Sequence, residues 1–153
     1  MNLYALVDDE DFEFLSRYSW YLNKRSRNLY AQSIVNGVSI GMHQLICPSE
    51  TLLITPDHKN GNGLDNRKEN LRLATNKQQA QNARKALRTT SSKYKGVVYF
   101  KRDKCWRAYI KEAGKQIHLG YFKSELLAAK AYNRAAQEYF GEFARINVLE
   151  KVQ

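Results

Sequence analysis

Short apolar runs, each bounded by polar residues or turn formers, predict several small elements instead of one long core element. The run at residues 3–7 predicts a strand. Asp8 and Asp9 are residue types that cap helices, so the acidic segment behind them predicts a short helix that ends at Leu15. The chain is therefore expected to open on a small mixed element.

A β-hairpin is the local structure that the sequence predicts most directly. Apolar runs at 29–35 and 38–46 flank Asn36 and Gly37, and this dipeptide tolerates the positive φ angles of a type I′ turn. Beyond the hairpin, residues 57–63 are polar and rich in turn formers, so they predict an irregular loop.

A polar helix is predicted after that loop. Thr75 offers a hydroxyl group to the free amides of a first helical turn, and the helix is expected to run to about Ala86 with little apolar face. The Thr and Ser residues at 88–92 predict a short flexible linker. The linker divides the chain into an N-terminal domain, 1–87, and a C-terminal domain, 93–150.

Three strands and one helix are predicted in the C-terminal domain, so the fold class is α+β. The strand patterns lie near 96–100, 106–112 and 116–120, and the turns between them predict an antiparallel sheet. From Ser124, an N-cap residue type, apolar residues recur at helical spacing up to Gly141, which can end the helix in the αL conformation. The helix should cover one face of the sheet, and the other face should carry basic and aromatic side chains.

The charge of the chain indicates a polyanionic partner. Its 153 residues include 25 Lys and Arg against 15 Asp and Glu, a net charge of +10, which favours nucleic acid over a membrane surface. Residues 1–87 carry 11 basic and 9 acidic side chains, whereas residues 88–153 carry 14 and 6. The C-terminal part should supply most of the electrostatic attraction.

Other features disfavour a zinc protein and a membrane or secreted protein. Cys47 and Cys105 lie far apart, outside any Cys/His cluster that could supply four zinc ligands, and are expected to be reduced, buried thiols. No apolar run reaches the roughly 18 residues that span a bilayer. Five acidic residues between Asp8 and Glu13 stand where a signal peptide needs a basic start. We expect a soluble, cytoplasmic protein, with no protein partner implied.

An ordered set of polar residues carries the chemistry of the N-terminal domain. Asp57 and His58 open the loop, Asn70 follows thirteen residues after Asp57, and the polar helix comes next. This order resembles the ββα-metal fold of HNH endonucleases, particularly the homing type. The resemblance implies that 1–87 is an HNH nuclease domain with its ββα-metal core at about 42–86.

The resemblance also implies a role for each of these residues. His58 would be the general base, because a neutral imidazole can take a proton from water near pH 7. Asn70 would orient His58 or brace the loop. Asp57 would hold one hard divalent cation, Mg²⁺, with Mn²⁺ as a substitute.

The chain departs from the family pattern at one metal position. The family places a His or Asn on the helix nine residues after the middle Asn, and here that residue is Gln79. Asn82, three residues further along the helix, is the alternative ligand. His43, in the hairpin, is expected to support the hairpin rather than to react.

The C-terminal domain resembles a second family. The segments at 92–97, 106–110, 118–122 and 128–136 resemble the APETALA-type, or ethylene-response-factor, DNA-binding domain, whose sheet enters the major groove of double-stranded DNA. The residues that this resemblance places on the DNA face are Lys95, Tyr99, Arg102, Trp106, Tyr109, Lys111 and His118. Arg102 or Arg107 could read guanine through two hydrogen bonds. Trp106 can also be interpreted as an ordinary core residue.

Together these patterns predict a metal-dependent DNA endonuclease of the HNH homing type, targeted by its C-terminal domain. It would hydrolyse a phosphodiester of double-stranded DNA, in one strand or in both. The alternative is a DNA-binding regulator with a degenerate, inactive HNH domain, because Gln79 departs from the family pattern. An RNA-binding role is a third and less favoured interpretation.

Overall fold

Three small β-sheets form the framework of the protein, whose computed structural model describes residues 3–25, 28–85 and 90–150. The chain divides into two units, residues 1–80 and 81–153. Two of the sheets belong to the first unit, and the third belongs to the second unit.

The first unit consists of short helices and strands. Its elements are α1 (Asp9–Leu15), β1 (Tyr21–Arg25), β2 (Asn28–Val35), β3 (Val38–Gly41), α2 (Met42–Ile46), β4 (Ile54–His58), β5 (Leu71–Thr75) and α3 (Asn76–Asn82), whose last two residues lie beyond the division. The strands β1, β2 and β3 form one antiparallel sheet, and β4 pairs with β5 as an antiparallel ribbon. The order of β4, β5 and α3 gives the predicted ββα arrangement.

The predicted hairpin is confirmed, but its second strand is shorter than expected. Asn36 has a φ of 51° and Gly37 a φ of 78°, the two positive angles that a type I′ turn requires. The second strand ends at Gly41, because Met42–Ile46 form α2. The side chain of Gln44 accepts a hydrogen bond from the amide of Gly41 at 2.7 Å, which stabilises the start of this helix.

The prediction for the N-terminus is correct for the helix and wrong for the strand. α1 forms where expected, although the carboxylate of Asp8 accepts the backbone amide of Lys68 at 2.7 Å and makes no cap bond to α1. Residues 3–7 contain one isolated bridge, from Leu6 to Asp65. Because Asp65 lies in a loop and not in a strand, the pairing does not continue beyond this one bridge, and residues 3–7 do not form a strand. The strand β1 was not predicted.

Two boundaries around the polar loop differ from the prediction. Asp57 and His58 belong to β4, paired with β5, so strand pairing continues past the first two residues of the predicted 57–63 loop. Thr75 caps α3 as predicted, with its hydroxyl 3.3 Å from the amide of Gln78. The helix ends at Asn82; Ala86, its predicted end, lies outside the described residues.

The second unit has the predicted α+β arrangement. It contains β6 (Val97–Phe100), β7 (Cys105–Glu112), β8 (Lys115–Phe122) and α4 (Glu125–Phe140), with the strands antiparallel in the order β6-β7-β8. The hydroxyl of Ser124 accepts the amide of Leu127 at 3.2 Å and caps α4. Gly141 ends α4 with a φ of 52° and a ψ of −125°, a positive φ outside the predicted αL region.

Small residues let α4 lie close to the sheet. Ala108 of β7 and the helix residues Ala128 and Ala129 are fully buried and share one core cluster with Val97. Ile110 belongs to a second cluster with the next turns of the helix. Because the alanine side chains are short, the helix can approach the sheet closely without leaving voids, and the core stays densely packed.

The remaining predictions concern the thiols, the linker and the membrane. Cys47 and Cys105 are free, as predicted, but half-buried rather than buried. Two residues of the predicted 88–92 linker, 88 and 89, lie outside the described residues. Along the described stretches, no helix combines the length and apolar composition that crossing a membrane requires.

Gly96 offers a test of the packing of α4. Its φ is +72°, and a Cβ atom there would collide with the ring of Tyr132 and lie 2.6 Å from the carbonyl oxygen of Tyr109. We expect Gly96→Ala to lower the free energy of unfolding by about 2 kcal/mol or more. Gly114→Ala is the control, because Gly114 has a φ of +76° and no atom within 4 Å of the added Cβ. It should lose only about 1 kcal/mol. Equal losses in chemical denaturation would contradict this account.

Candidate functional site

A polar cleft of about 340 Å³ opens in the first unit. Asp57 and His58, at the end of β4, and Gln79, on α3, all line it. The structure therefore brings together three of the residues that the sequence analysis assigned to the nuclease site. Asn82, the alternative metal ligand, is buried and is not among the residues that line the cleft.

His58 is held by Asn66, a residue that the sequence analysis did not single out. The Nε2 atom of His58 lies 3.1 Å from Oδ1 of Asn66, and both side chains are buried. A carbonyl oxygen facing Nε2 favours the neutral tautomer with its proton on Nε2 and its lone pair on Nδ1. Burial lowers the pKa of His58, against the opposing effects of Asn66, Asp57 and Asp65. The imidazole is therefore neutral near pH 7.

Asn70 braces the loop and has no hydrogen bond to His58 among those described. Its Oδ1 accepts the backbone amide of Asn60 at 3.0 Å, and its Nδ2 donates to the carbonyl oxygen of Asp65 at 2.7 Å. Of the two roles left open for Asn70, this geometry corresponds to bracing. Four asparagines stand between Lys59 and Leu71, and no sequence signal distinguishes Asn66 as the partner of His58.

Asp57 and Gln79 both have protein partners. The Nε and terminal nitrogen of Arg72 each lie 3.3 Å from the Asp57 carboxylate, because the two residues pair across β4 and β5. The side-chain amide nitrogen of Gln79 donates to the hydroxyl of Thr55 at 2.6 Å. This bond directs the amide nitrogen of Gln79, and not its oxygen, towards Thr55.

The donor atoms of the cleft suit a hard, weakly held cation. Mg²⁺ commonly binds through one or two carboxylates, keeps several waters and takes further oxygen ligands from phosphate. Asp57 supplies a carboxylate and Gln79 supplies a neutral amide oxygen. Across the described residues, no group of three or more His, Cys, Asp or Glu is placed to hold a metal ion. These two oxygen donors therefore fit a hard divalent cation such as Mg²⁺ or Mn²⁺.

His43 lies beside His58 in the same cleft. The two rings are 4.9 Å apart, and the His43 ring also lies 5.7 Å from the ring of Tyr30 on β2. The Nδ1 atom of His43 is buried without a hydrogen-bond partner among the described residues. Burial above all, and then His58 and Arg25, lowers the pKa of His43 to about 4. His43 is therefore a second neutral imidazole against the hairpin.

The outer face of the second sheet collects four of the predicted DNA-binding residues. Ala108 and Ile110 pack towards α4, and adjacent strand residues point to opposite faces. The outward positions of β7 are therefore Arg107, Tyr109 and Lys111, and cross-strand pairing puts His118 beside Tyr109. This surface is basic and aromatic, as the sequence analysis predicts.

Tyr99 and Trp106 do not lie on that face. They pair with each other across β6 and β7, and their ring centroids are 5.0 Å apart. Trp106 packs against the core cluster that contains Val97 and Ala108. Because Tyr99 and Val97 are two residues apart on one strand, they share the helix-covered face. The assignment of Tyr99 and Trp106 to the outer face is corrected by this two-residue period.

Lys95, Arg102 and Arg107, three predicted DNA-binding residues, differ in the protein groups that their side chains already contact. Lys95 donates to the carbonyl oxygens of Gln81 and Ala83 at 2.6 and 2.7 Å, and burial lowers its pKa to about 8. Arg102 is bound to the neighbouring carboxylate of Asp103 at 2.8 Å. Arg107 instead stacks its guanidinium over two aromatic rings, 5.8 and 5.9 Å from their centroids.

Comparisons with known proteins find an endonuclease family model and a viral relative. A family model described as HNH endonuclease matches residues 54–81. An uncharacterised HNH endonuclease of Acanthamoeba polyphaga mimivirus is 32% identical over 155 residues, which cover 96% of this chain and 76% of the relative. No solved structure matches the chain significantly.

Two plant relatives match about half of the chain. APETALA2-like protein 2 of Oryza sativa is 39% identical over 79 residues, which cover 52% of this chain and 18% of that protein. An AP2-like ethylene-responsive transcription factor of Arabidopsis thaliana is 40% identical over 70 residues, which cover 46% of this chain and 14% of that protein. The chain therefore spans less than a fifth of the length of either plant relative.

The pKa of His43 makes a prediction about stability. The unfolded chain binds a proton at His43 near pH 6.5, whereas the folded chain does so only near pH 4. The stabilisation is thus fully present above pH 6.5 and is lost as the pH falls from 6.5 to about 4. We expect His43→Gln to flatten the loss of unfolding free energy across this range in chemical denaturation. An unchanged pH dependence in the variant would show that His43 is not buried as a neutral ring.

Proposed function

The chain belongs to the HNH endonuclease family, and on that premise we propose that it hydrolyses phosphodiester bonds of double-stranded DNA with one divalent metal ion. The observation that carries the proposal is the cleft where neutral, buried His58 stands with Asp57 and Gln79. The proposal includes a homing-type role, in which the second unit selects and holds the DNA.

In this mechanism, His58 takes a proton from water. As that proton moves to the imidazole, the water oxygen bonds to phosphorus and the bond to the leaving oxygen breaks. Asn66 holds the Nε2 side of the ring at 3.1 Å, and the other ring nitrogen, Nδ1, would accept the proton. Asp57 and Gln79 would hold Mg²⁺, which supplies charge stabilisation to the phosphate oxygens.

We propose that the outer face of the second sheet binds DNA. Residues 88–153 hold 14 of the 25 basic residues and only 6 acidic ones, so a phosphate backbone is attracted there. Arg107, held over the rings of Phe100 and Tyr109, has a planar group that can bond guanine at two atoms. Lys111 would bind phosphate as a point charge. A linked second binding unit raises the effective DNA concentration at the cleft.

A second candidate function is a DNA-binding regulator whose cleft no longer cuts. The favouring observation is that both proposed metal ligands already bond to protein groups, Asp57 to Arg72 and Gln79 to Thr55. A metal ion would have to compete with these bonds. The nuclease proposal instead requires that the carboxylate of Asp57 accept the ion together with Arg72.

Replacing His58 tests the nuclease mechanism. We expect His58→Ala to slow single-turnover cleavage of plasmid DNA by at least about 100-fold, because a general base contributes about 10²–10⁴ to the rate. DNA affinity, measured by fluorescence anisotropy, should change less than about twofold, because the base acts only in the transition state.

His118→Ala is the matched control, since His118 lies on the outer sheet face and outside the cleft. It should weaken DNA binding but cut at the normal rate when protein saturates the DNA. Normal single-turnover cleavage by His58→Ala would remove His58 from the mechanism.

The proposed DNA surface is tested by removing one positive charge at a time, either from the outer face of the second sheet or from α4 on its opposite side. We expect Arg107→Gln and Lys111→Gln each to weaken DNA binding. Lys111→Gln should also reduce the slope of log K against log salt by about 0.9, because Lys111 would bind phosphate. Arg107→Gln should instead relax discrimination at a guanine. Lys130→Gln is the control, because Lys130 is exposed on α4, which covers the opposite face. Similar effects of all three variants on affinity and salt slope would show that binding follows net charge alone.

A further inference from the structure

The charges that line the nuclease cleft are almost all balanced within the protein. Asp57 lies 3.3 Å from Arg72. The rings of His43 and His58 lie 4.9 Å apart in this lining, and burial lowers the pKa of His43 to about 4, so that His43 is neutral near pH 7. Arg25 also lines the cleft, and it has no ion-pair partner among the residues that the structure describes. Arg25 therefore gives the lining its uncompensated positive charge.

The position of Arg25 is set by the first sheet. It is the last residue of β1 and pairs with Asn28 at the start of β2. Its side chain is exposed, so the donors of its guanidinium remain open to a molecule that enters the cleft. Its charge also acts on His43, whose pKa is lowered first by burial, then by His58 and then by Arg25.

We propose that Arg25 binds a non-bridging oxygen of the phosphate that is cut. This inference rests on the proposed nuclease function and adds a catalytic residue to it. A guanidinium group bonds two phosphate oxygens at once, through two parallel donors. As water attacks, negative charge grows on those oxygens, so the bonds from Arg25 strengthen in the transition state. Arg25 would therefore stabilise the charge on the phosphate, whereas His58 would accept the proton from the water.

A matched pair of variants on β1 tests the role of Arg25 in cleavage. Arg25→Gln and Lys24→Gln each remove one positive charge, and Lys24 does not line the cleft. At saturating protein, we expect Arg25→Gln to reduce the single-turnover rate about 100-fold, the effect of losing one transition-state donor. Lys24→Gln should stay within about twofold of the unaltered protein. Arg25→Lys should recover part of the loss, because the charge remains without the two-donor geometry.

A purely structural role for Arg25 would give a different result. In that case Arg25→Gln would have a lower thermal unfolding temperature than the unaltered protein. Arg25→Lys, although it keeps the positive charge, would not recover any of the lost cleavage rate. Equal rates for Arg25→Gln and Lys24→Gln would overturn the inference.

A second measurement is independent of cleavage. A short DNA duplex is added to the full-length protein in EDTA, and the pKa of His43 is followed by NMR of its imidazole signals. After burial and His58, the charge of Arg25 is the third cause that lowers this pKa. A phosphate at Arg25 offsets that charge, so DNA should raise the pKa of His43 in the unaltered protein and in Lys24→Gln. The rise should be absent in Arg25→Gln. DNA binding without any rise would overturn the role of Arg25 alone, whereas absence of DNA binding would overturn the proposed function as well.

Discussion

The geometry of the cleft depends on buried hydrogen bonds from two asparagines in the loop between β4 and β5. Asn70, at the end of the loop, bonds to Asn60 near its start and to Asp65 in its middle, and Asn66 holds Nε2 of His58. A buried amide that loses its partner costs about 1–3 kcal/mol, so these bonds resist rearrangement. Since β5 leads directly into α3, the same loop also fixes where the helix that carries Gln79 begins. The positions of the cleft residues therefore depend on the hydrogen bonds that close this loop.

The two units differ in how their charges are arranged. In the first unit, burial keeps His43 and His58 neutral, and Arg72 balances Asp57. A neutral imidazole is needed to accept a proton, and a polyanion entering such a cleft still needs a cation, which Arg25 supplies. In the second unit, α4 covers one face of the sheet and leaves cations and aromatic rings on the other. The proposed division is that one unit binds DNA and the other performs the chemistry.

The sequence predicts most where the signal is local and least where tertiary contacts decide. The Asn36-Gly37 turn, the strands of the second unit and the Ser124 cap depend on neighbouring residues, and all three are confirmed. The expected strand through 38–46 was wrong, because Gln44 caps a helix there. Family resemblance assigned Asp57, His58 and Gln79 to one site, and all three line the same cleft. It could not show that Asn66 binds His58, since that contact depends on the path of the loop. For Trp106 the sequence left the DNA face and the core both open, and the packing against the core cluster agrees with the core interpretation.

The central claim is that the cleft around His58 cuts DNA with a bound divalent ion. The most direct measurement is incubation of supercoiled plasmid with the full-length protein in Mg²⁺, in Mn²⁺ and in EDTA, with DNA binding measured in each condition. The account predicts conversion of supercoiled plasmid to nicked or linear DNA with either metal ion and no conversion in EDTA, where the protein still binds DNA. Intact supercoiled plasmid in all three conditions, with DNA binding retained, would contradict the account and leave the protein as a DNA-binding regulator.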